Sequence, residues 1–205
     1  MRRKSTSISR RQATNTRPAI LLAEKLGFEL NYAITINFTL AGFDEYTASK
    51  KFAAVRERFT RLARKKLKRT RIDSFKPAFL WVLENTGHVA AHWLVHIPPE
   101  RLDEFREELN KWIVRVGGNI DDPNTIDIRE AYNPHGYRKY MLKGIDPLFA
   151  PLYRIDHVPQ GVIYGKRFGY STSIGPSQSI KHGTKKRWKR PANTENPAWM
   201  NKDAA

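Results

Sequence analysis

The stretch Glu84-Asn-Thr-Gly-His-Val-Ala-Ala-His-Trp-Leu-Val-His-Ile-Pro98 decides the fold class. Trp93, Val95 and Ile97 alternate in it with His92, Leu94 and His96, and a period of two sets His92 and His96, with Ala90, on one face of a strand. The apolar run Ala78-Phe-Leu-Trp-Val-Leu-Glu84 is short enough to be its partner, and Asn85-Thr-Gly87 supplies the turn. A hairpin with Glu84 near its tip follows. Facing residues of a hairpin lie only about 5 Å apart, so Glu84 and His92 can converge on a divalent cation. His96 is roughly 13 Å further along by strand rise, too far for metal bonds of about 2 Å, and reads as a core residue. The plain alternative for each histidine is a hydrogen-bonded side chain of a half-buried strand.

Working outward, Asn31-Tyr-Ala-Ile-Thr-Ile-Asn-Phe-Thr-Leu40 alternates and is rich in β-branched and aromatic residues, which predicts a first strand. From Glu45 to about Arg71, Phe52, Val55, Phe59 and Leu62 recur every three or four residues, the spacing of an amphipathic helix. Its other face is basic, with Glu57 the one acid among ten cations from Lys50 to Arg69, so pairing within the helix cannot account for them. Arg61, Arg64 and Lys65 are therefore candidate phosphate contacts, against the alternative of a solvated face. Pro98-Pro99-Glu100 opens a second helix, carried on by Leu102, Phe105, Leu109, Trp112 and Val116 to Gly117-Gly118. Asn124–Arg129 alternates as a further strand, and Asn133-Pro134 starts a short helix by side-chain capping with proline in the first position. That helix brings Tyr137, Tyr140 and Lys143 to one face at spacings of three, beside Lys139, and Gly144 ends it.

The 205 residues carry 37 Lys and Arg against 20 Asp and Glu, a formal net charge of +17. Such an excess favours a polyanionic partner, nucleic acid or an anionic membrane surface. No apolar run approaches the roughly 18 residues of a membrane span, and the basic start lacks the apolar segment of a secretory signal, so a cytoplasmic protein with no membrane partner is expected. Absence of cysteine excludes disulfides and thiolate metal sites. Residues 1–27 are expected as a basic arm with a disordered start, 28–170 as the domain, and 171–205 as a basic, disordered tail. Within 160–169, glycines beside Lys166 and Arg167 suit phosphate, or equally a hairpin with glycine turns. Trp188, inside the basic run 181–190, suits base stacking with backbone contact.

An apolar strand, a histidine strand and then a helical Tyr140-x-x-Lys143, in that order, resemble the motifs of the HUH endonucleases, the rolling-circle replication initiators and relaxases of plasmids and phages. The resemblance implies an α+β domain, an antiparallel sheet with packed helices as in HUH and RRM-like folds. It also implies single-strand DNA nicking and joining, with Tyr140 as nucleophile and Lys143 assisting at the phosphate. A divalent ion, Mg²⁺ or Mn²⁺, would be held by His92 and Glu84, with His88 a substitute from the turn. Where the family signature has its first metal histidine, this chain has Ala90. Single-stranded DNA is the expected partner; lacking a Walker loop, the chain would draw unwinding and synthesis from a host helicase and polymerase. Two other classes fit the charge: a non-catalytic nucleic-acid-binding protein on the same fold, and a basic RNA-binding or structural protein.

Overall fold

Alternating runs become strands and three-to-four-spaced runs become helices, as the two side-chain periodicities require. The computed structural model describes residues 3–65 and 74–186. In chain order its elements are β1 (Lys4–Ser5), α1 (Arg10–Thr14), α2 (Thr16–Lys25), β2 (Tyr32–Asn37), α3 (Ala48–Arg64), β3 (Phe79–Asn85) and β4 (Val89–Val95). There follow α4 (Leu102–Arg115), β5 (Ile126–Glu130), α5 (Pro134–Met141), β6 (Ile163–Tyr164), β7 (Phe168–Tyr170) and α6 (Pro176–Lys181). The fold is mixed α+β with two antiparallel sheets, a five-stranded one in the order β5-β2-β4-β3-β7 and a ribbon of β1 with β6. Two interlocked β-α-β units, β2-α3-β3 and β4-α4-β5, build the main sheet, each closing across a strand of the other. Among the described residues no helix is long and apolar enough to cross a membrane.

β4 lies in the middle of the sheet, which is why all seven of its residues are buried. Its odd positions, Ala91, Trp93 and Val95, meet α3 and α4 on one face. There Phe59 of α3 packs edge-on against Trp93 with ring centres 5.0 Å apart, and Phe105 of α4 packs against Phe59 at 5.7 Å. Truncating such a buried ring costs on the order of 3–5 kcal/mol, so this aromatic stack fixes the sheet's orientation on its helices. The opposite face carries Leu94, Leu80 and Val82 and is covered by α2, by the end of α5 at Met141 and Leu142, and by Ile8. That second face also bears His92 and Glu84.

Several expectations need correction. The basic arm is folded from Lys4 onward: Ile8 is fully buried, and Ser9 and Gln12 form a capping box on α1. The short helix that Ala19–Leu26 suggests before Gly27 is present as α2, starting earlier at Thr16, and its Ala19, Ile20, Leu22 and Ala23 enter the core. The tail is likewise folded as far as Lys186, with Ile174 buried before α6. Residues 187–205, including Trp188, lie outside the described residues, as do 66–73 at the expected end of the basic helix. β6 and β7 do not pair with each other as a hairpin; β6 joins β1 and β7 joins β3.

Candidate active site

Register determines which side chains can meet. Glu84 pairs with Ala90, and His92 pairs with Val82, so Glu84 and His92 are diagonal neighbours, not the facing pair expected from the turn. They still meet, because long side chains span a diagonal: His92 Nε2 lies 2.8 Å from Glu84 Oε1. Both are buried, at 6% and 8% exposure. On the other side of β4, Thr35 of β2 stands opposite His92 and its Oγ1 is 3.2 Å from His92 Nδ1.

α5 closes over this part of the sheet. Asn133 caps it, its Oδ1 accepting the Gly136 amide at 2.8 Å. Gly136 is required there, since a Cβ would stand 2.6 Å from the Asn133 Nδ2. The helix presents Tyr140 edge-on to His92, ring centres 5.2 Å apart, with Tyr137 alongside at 5.7 Å. Tyr140 is 46% exposed and open to a large substrate. Lys143 is not on the helix, which ends at Met141, but in the turn after it. Three backbone bonds fix that turn: Lys143 N to Tyr140 O at 3.1 Å, Val158 N to Lys143 O at 2.9 Å, and Ile8 N to Gly144 O at 2.9 Å. Gly144 admits the Gln160 side chain against the turn, where a Cβ would collide with it.

Lys143 Nζ reaches Glu84 Oε2 at 3.0 Å and lies 4.1 Å from the centre of the Tyr140 ring. Burial works to raise the Glu84 carboxyl, but the adjoining His92 and the Lys143 ammonium outweigh it and hold it below the usual carboxylate range. Burial works to lower Lys143, and Tyr140 with Glu84 reverses that, holding the ammonium charged above its ordinary value. Tyr137 is different: burial foremost pushes its phenol up to about 12, although a hydrogen bond from Thr35 works to lower it. The two tyrosines are thus separated by environment, one enclosed and bonded to Thr35, the other open beside a cation.

Thr35 engages His92 on the Nδ1 side and Tyr137 besides, so His92 faces the Glu84 carboxylate through Nε2. That buried Nε2 has no aligned hydrogen-bond partner, despite the carboxylate 2.8 Å away. Two cis ligands on an ion with bonds of about 2.0–2.1 Å are themselves roughly 3 Å apart, so Glu84 and His92 fit a hard divalent ion as a two-donor edge. Among the described residues no three His, Cys, Asp or Glu side chains converge to hold a metal. His88 is exposed in the turn, four residues from His92 along the chain, and joins neither partner. Thr35 carried no signal in the sequence beyond its place in an alternating strand, and only the register reveals it.

The expected nucleic-acid contacts are dispersed. Arg61, Arg64 and Lys65 are exposed at the end of α3, on the sheet face away from Tyr140, and Arg61 pairs with Glu57. Lys139 is exposed next to Tyr140, and Lys166 is exposed in the β6–β7 loop. Arg167 is not a surface contact: it is 2% exposed and its guanidinium donates to the carbonyls of Ser5, Leu83, Gln160 and Gly161. His96 is not in the core as expected but half-buried at its margin, with Nδ1 2.8 Å from the Glu29 carbonyl. No protein-family model matches the chain, and no curated protein matches it either.

Proposed function

We propose that the chain is a single-strand DNA nicking and joining enzyme of the replication-initiator kind, with Tyr140 as its nucleophile. One observation carries this: an open tyrosine, a lysine, a buried carboxylate and a histidine with an unpartnered nitrogen, drawn from β3, β4 and the α5 turn, meet at one point. The interlocked β-α-β sheet with the tyrosine helix on one face suits the HUH and RRM-like architecture, and the net charge of +17 suits a polyanionic substrate.

In this reading the Tyr140 oxygen attacks a phosphodiester phosphorus as its proton departs. The bond from phosphorus to the 3′-oxygen breaks, the 3′-oxygen takes up a proton, and a 5′-phosphotyrosine remains. Attack by a 3′-hydroxyl reverses the step and reseals the strand. A phenol with an ordinary value near 10 is a poor nucleophile at neutral pH, and the Lys143 ammonium beside it would offset the charge that develops at the phosphate during attack. Glu84 keeps Lys143 charged and positioned; Thr35 fixes the His92 ring through Nδ1. Glu84 and His92 would hold a Mg²⁺ or Mn²⁺ ion, whose chemistry is to polarise the phosphate. Tyr137, raised to about 12 and bonded to Thr35, is the less suited nucleophile.

The test is incubation of wild type, Tyr140→Phe and Tyr137→Phe with single-stranded oligonucleotides and Mn²⁺, scoring an SDS-resistant protein–DNA adduct. Loss in Tyr140→Phe with binding retained is expected; an adduct that survives it and maps to Tyr137 would refute the assignment. A second reading, a non-catalytic nucleic-acid-binding protein on the same fold, is favoured by Ala90, which stands opposite Glu84 where a third metal donor would complete the site. It predicts strand binding with no adduct in any variant.

A further inference from the structure

A cleft of about 680 Å³ runs along the β7 edge of the sheet, between the N-terminal segment and the β6–β7 loop. Arg3, Lys4, Arg11 and Lys166 stand in its walls against a single acid, Asp146. Asp146 is engaged locally, its Oδ1 accepting the Leu148 amide at 3.0 Å. Among the described residues none of the four cations has a carboxylate within ion-pair distance. Lys166 also lies 5.8 Å from the Trp81 ring, over which the largely buried Arg56 is stacked at 3.8 Å. Like charges gathered without counter-charges repel one another, and an anion between them relieves the repulsion.

The walls are rigid. Buried Arg167 ties the Ser5 carbonyl of the N-terminal segment to those of Leu83 and Gly161, and the Gly165 amide donates to Arg3 O at 2.8 Å. Gly165 has φ +127°, and a Cβ there would stand 2.6 Å from Ser49 Oγ, so the loop passes α3 as closely as backbone allows. The cleft is also joined to the tyrosine site at two points. Arg167 donates to the carbonyl of Leu83, next in sequence to Glu84, and Ile8 is hydrogen-bonded to Gly144 and Asp146, directly after Lys143.

From this placement we infer that the cleft of Arg3, Lys4, Arg11 and Lys166 binds the phosphodiester backbone of a single nucleic-acid strand leading to or from Tyr140, an assignment that rests on the proposed nicking function for its direction. A strand is favoured over a compact anion because the cations are spread along both walls, Arg3, Lys4 and Arg11 on one side and Lys166 on the other. The N-terminal segment is then part of the substrate path.

The experiment follows a short fluorescein-labelled oligothymidylate by anisotropy across a salt series, with the full chain in EDTA so that no chemistry intervenes. The double variant Arg3→Ala/Arg11→Ala should bind at least about tenfold more weakly, with a log–log salt slope shallower by about 1.4, the value for two lost phosphate contacts on a single strand. Lys166→Ala should weaken binding in the same direction. A charge-matched control, Arg106→Ala/Lys111→Ala on α4, should match wild type. Equal weakening in the control, unchanged affinity in the cleft variants, no strand binding by wild type, or stronger competition by phosphatidylserine vesicles than by unlabelled strand would each overturn the cleft. Adduct formation by wild type alongside an unaffected cleft variant rejects the cleft and keeps the tyrosine chemistry; cleft-dependent binding without an adduct does the reverse.

Discussion

Replacing Lys143 by Met isolates the electrostatics of the site from its chemistry. The methionine keeps most of the aliphatic bulk and removes the ammonium 3.0 Å from Glu84 Oε2. A carboxylate only 8% exposed is then left with His92 Nε2, 2.8 Å away, as its remaining close neighbour. Breaking a fully buried pair costs about 3–5 kcal/mol, but the Lys143 side chain is 21% exposed and water can take its place, so about 1–3 kcal/mol is the expected loss. At roughly 2–4 °C per kcal/mol for a chain of this size, the Tm should fall by about 2–12 °C at pH 7. Glu84→Gln in the same background removes the charge that needed a partner and should recover most of the loss, giving a coupling of at least about 1 kcal/mol in the double-mutant cycle. The pH dependence has a definite sign. In wild type the Glu84 carboxyl is held low, so its contribution is present above the unfolded carboxylate value near 4.3 and is lost as pH falls through the folded value. In Lys143→Met burial is opposed by less and the carboxyl rises, so the deficit against wild type should be largest near neutrality and narrow toward pH 4. Thermal melts of the four proteins across pH decide the matter. A Lys143→Met protein as stable as wild type at pH 7, or a double variant no more stable than Lys143→Met, would refute the reasoning.

Three further outcomes are expected. Thr35→Val should cost about 1–3 kcal/mol by leaving His92 Nδ1 and Tyr137 without their shared hydroxyl, and should weaken Mn²⁺ binding by about 10–100-fold, read by denaturant melts and calorimetry. Ala90→His places a third donor opposite Glu84 and should tighten Mn²⁺ binding at least about tenfold, a gain of about 1.4 kcal/mol; a titration unchanged from wild type would remove Glu84 and His92 from consideration as ligands. Tyr137→Phe should flatten the alkaline limb of the stability curve. A phenol at about 12 in the fold and near 10 unfolded stabilises the protein below pH 10 and loses up to about 2–3 kcal/mol as pH climbs to 12, a loss the phenylalanine cannot show in alkaline melts.

The hairpin, the faces of β4 and the order of strand, helix and tyrosine turn were legible because period-2 and three-to-four spacings survive in the sequence at Trp93, Val95, Phe52 and Phe59. The meeting of Glu84, His92, Tyr140 and Lys143 was legible as a set, but its geometry was not. The register of the turn made Ala90 the residue facing Glu84, and the helix stopped before Lys143. Thr35 was invisible because its partner lies 57 residues away on a strand paired by register alone. The N-terminal segment was misread for a different reason. Arg10, Arg11 and Arg17 dominate its composition, whereas its attachment depends on scattered buried side chains, Ile8, Ala13 and Thr16 among them, and on backbone bonds that any sequence can make.

The sheet imposes a further consequence on how affinity and chemistry can be combined. Trp93 points to α3 and α4 while His92, its neighbour, points to α5, so the cations at the end of α3 and the hydroxyl of Tyr140 lie on opposite faces of one sheet. A single strand in contact with both must round an edge. At the β5 edge it would meet Asp127 and Glu130, preceded by Asp121 and Asp122, and the Arg129 cation there is already held by Asp127 at 2.8 Å. At the β7 edge it would meet Lys166 and Arg3, neither of them paired with an acid among the described residues. For a strand following the proposed path, the first edge would repel phosphates and the second attract them, within a Debye length of about 8 Å at physiological salt. In that reading the basic residues of the N-terminal segment matter by position more than by number.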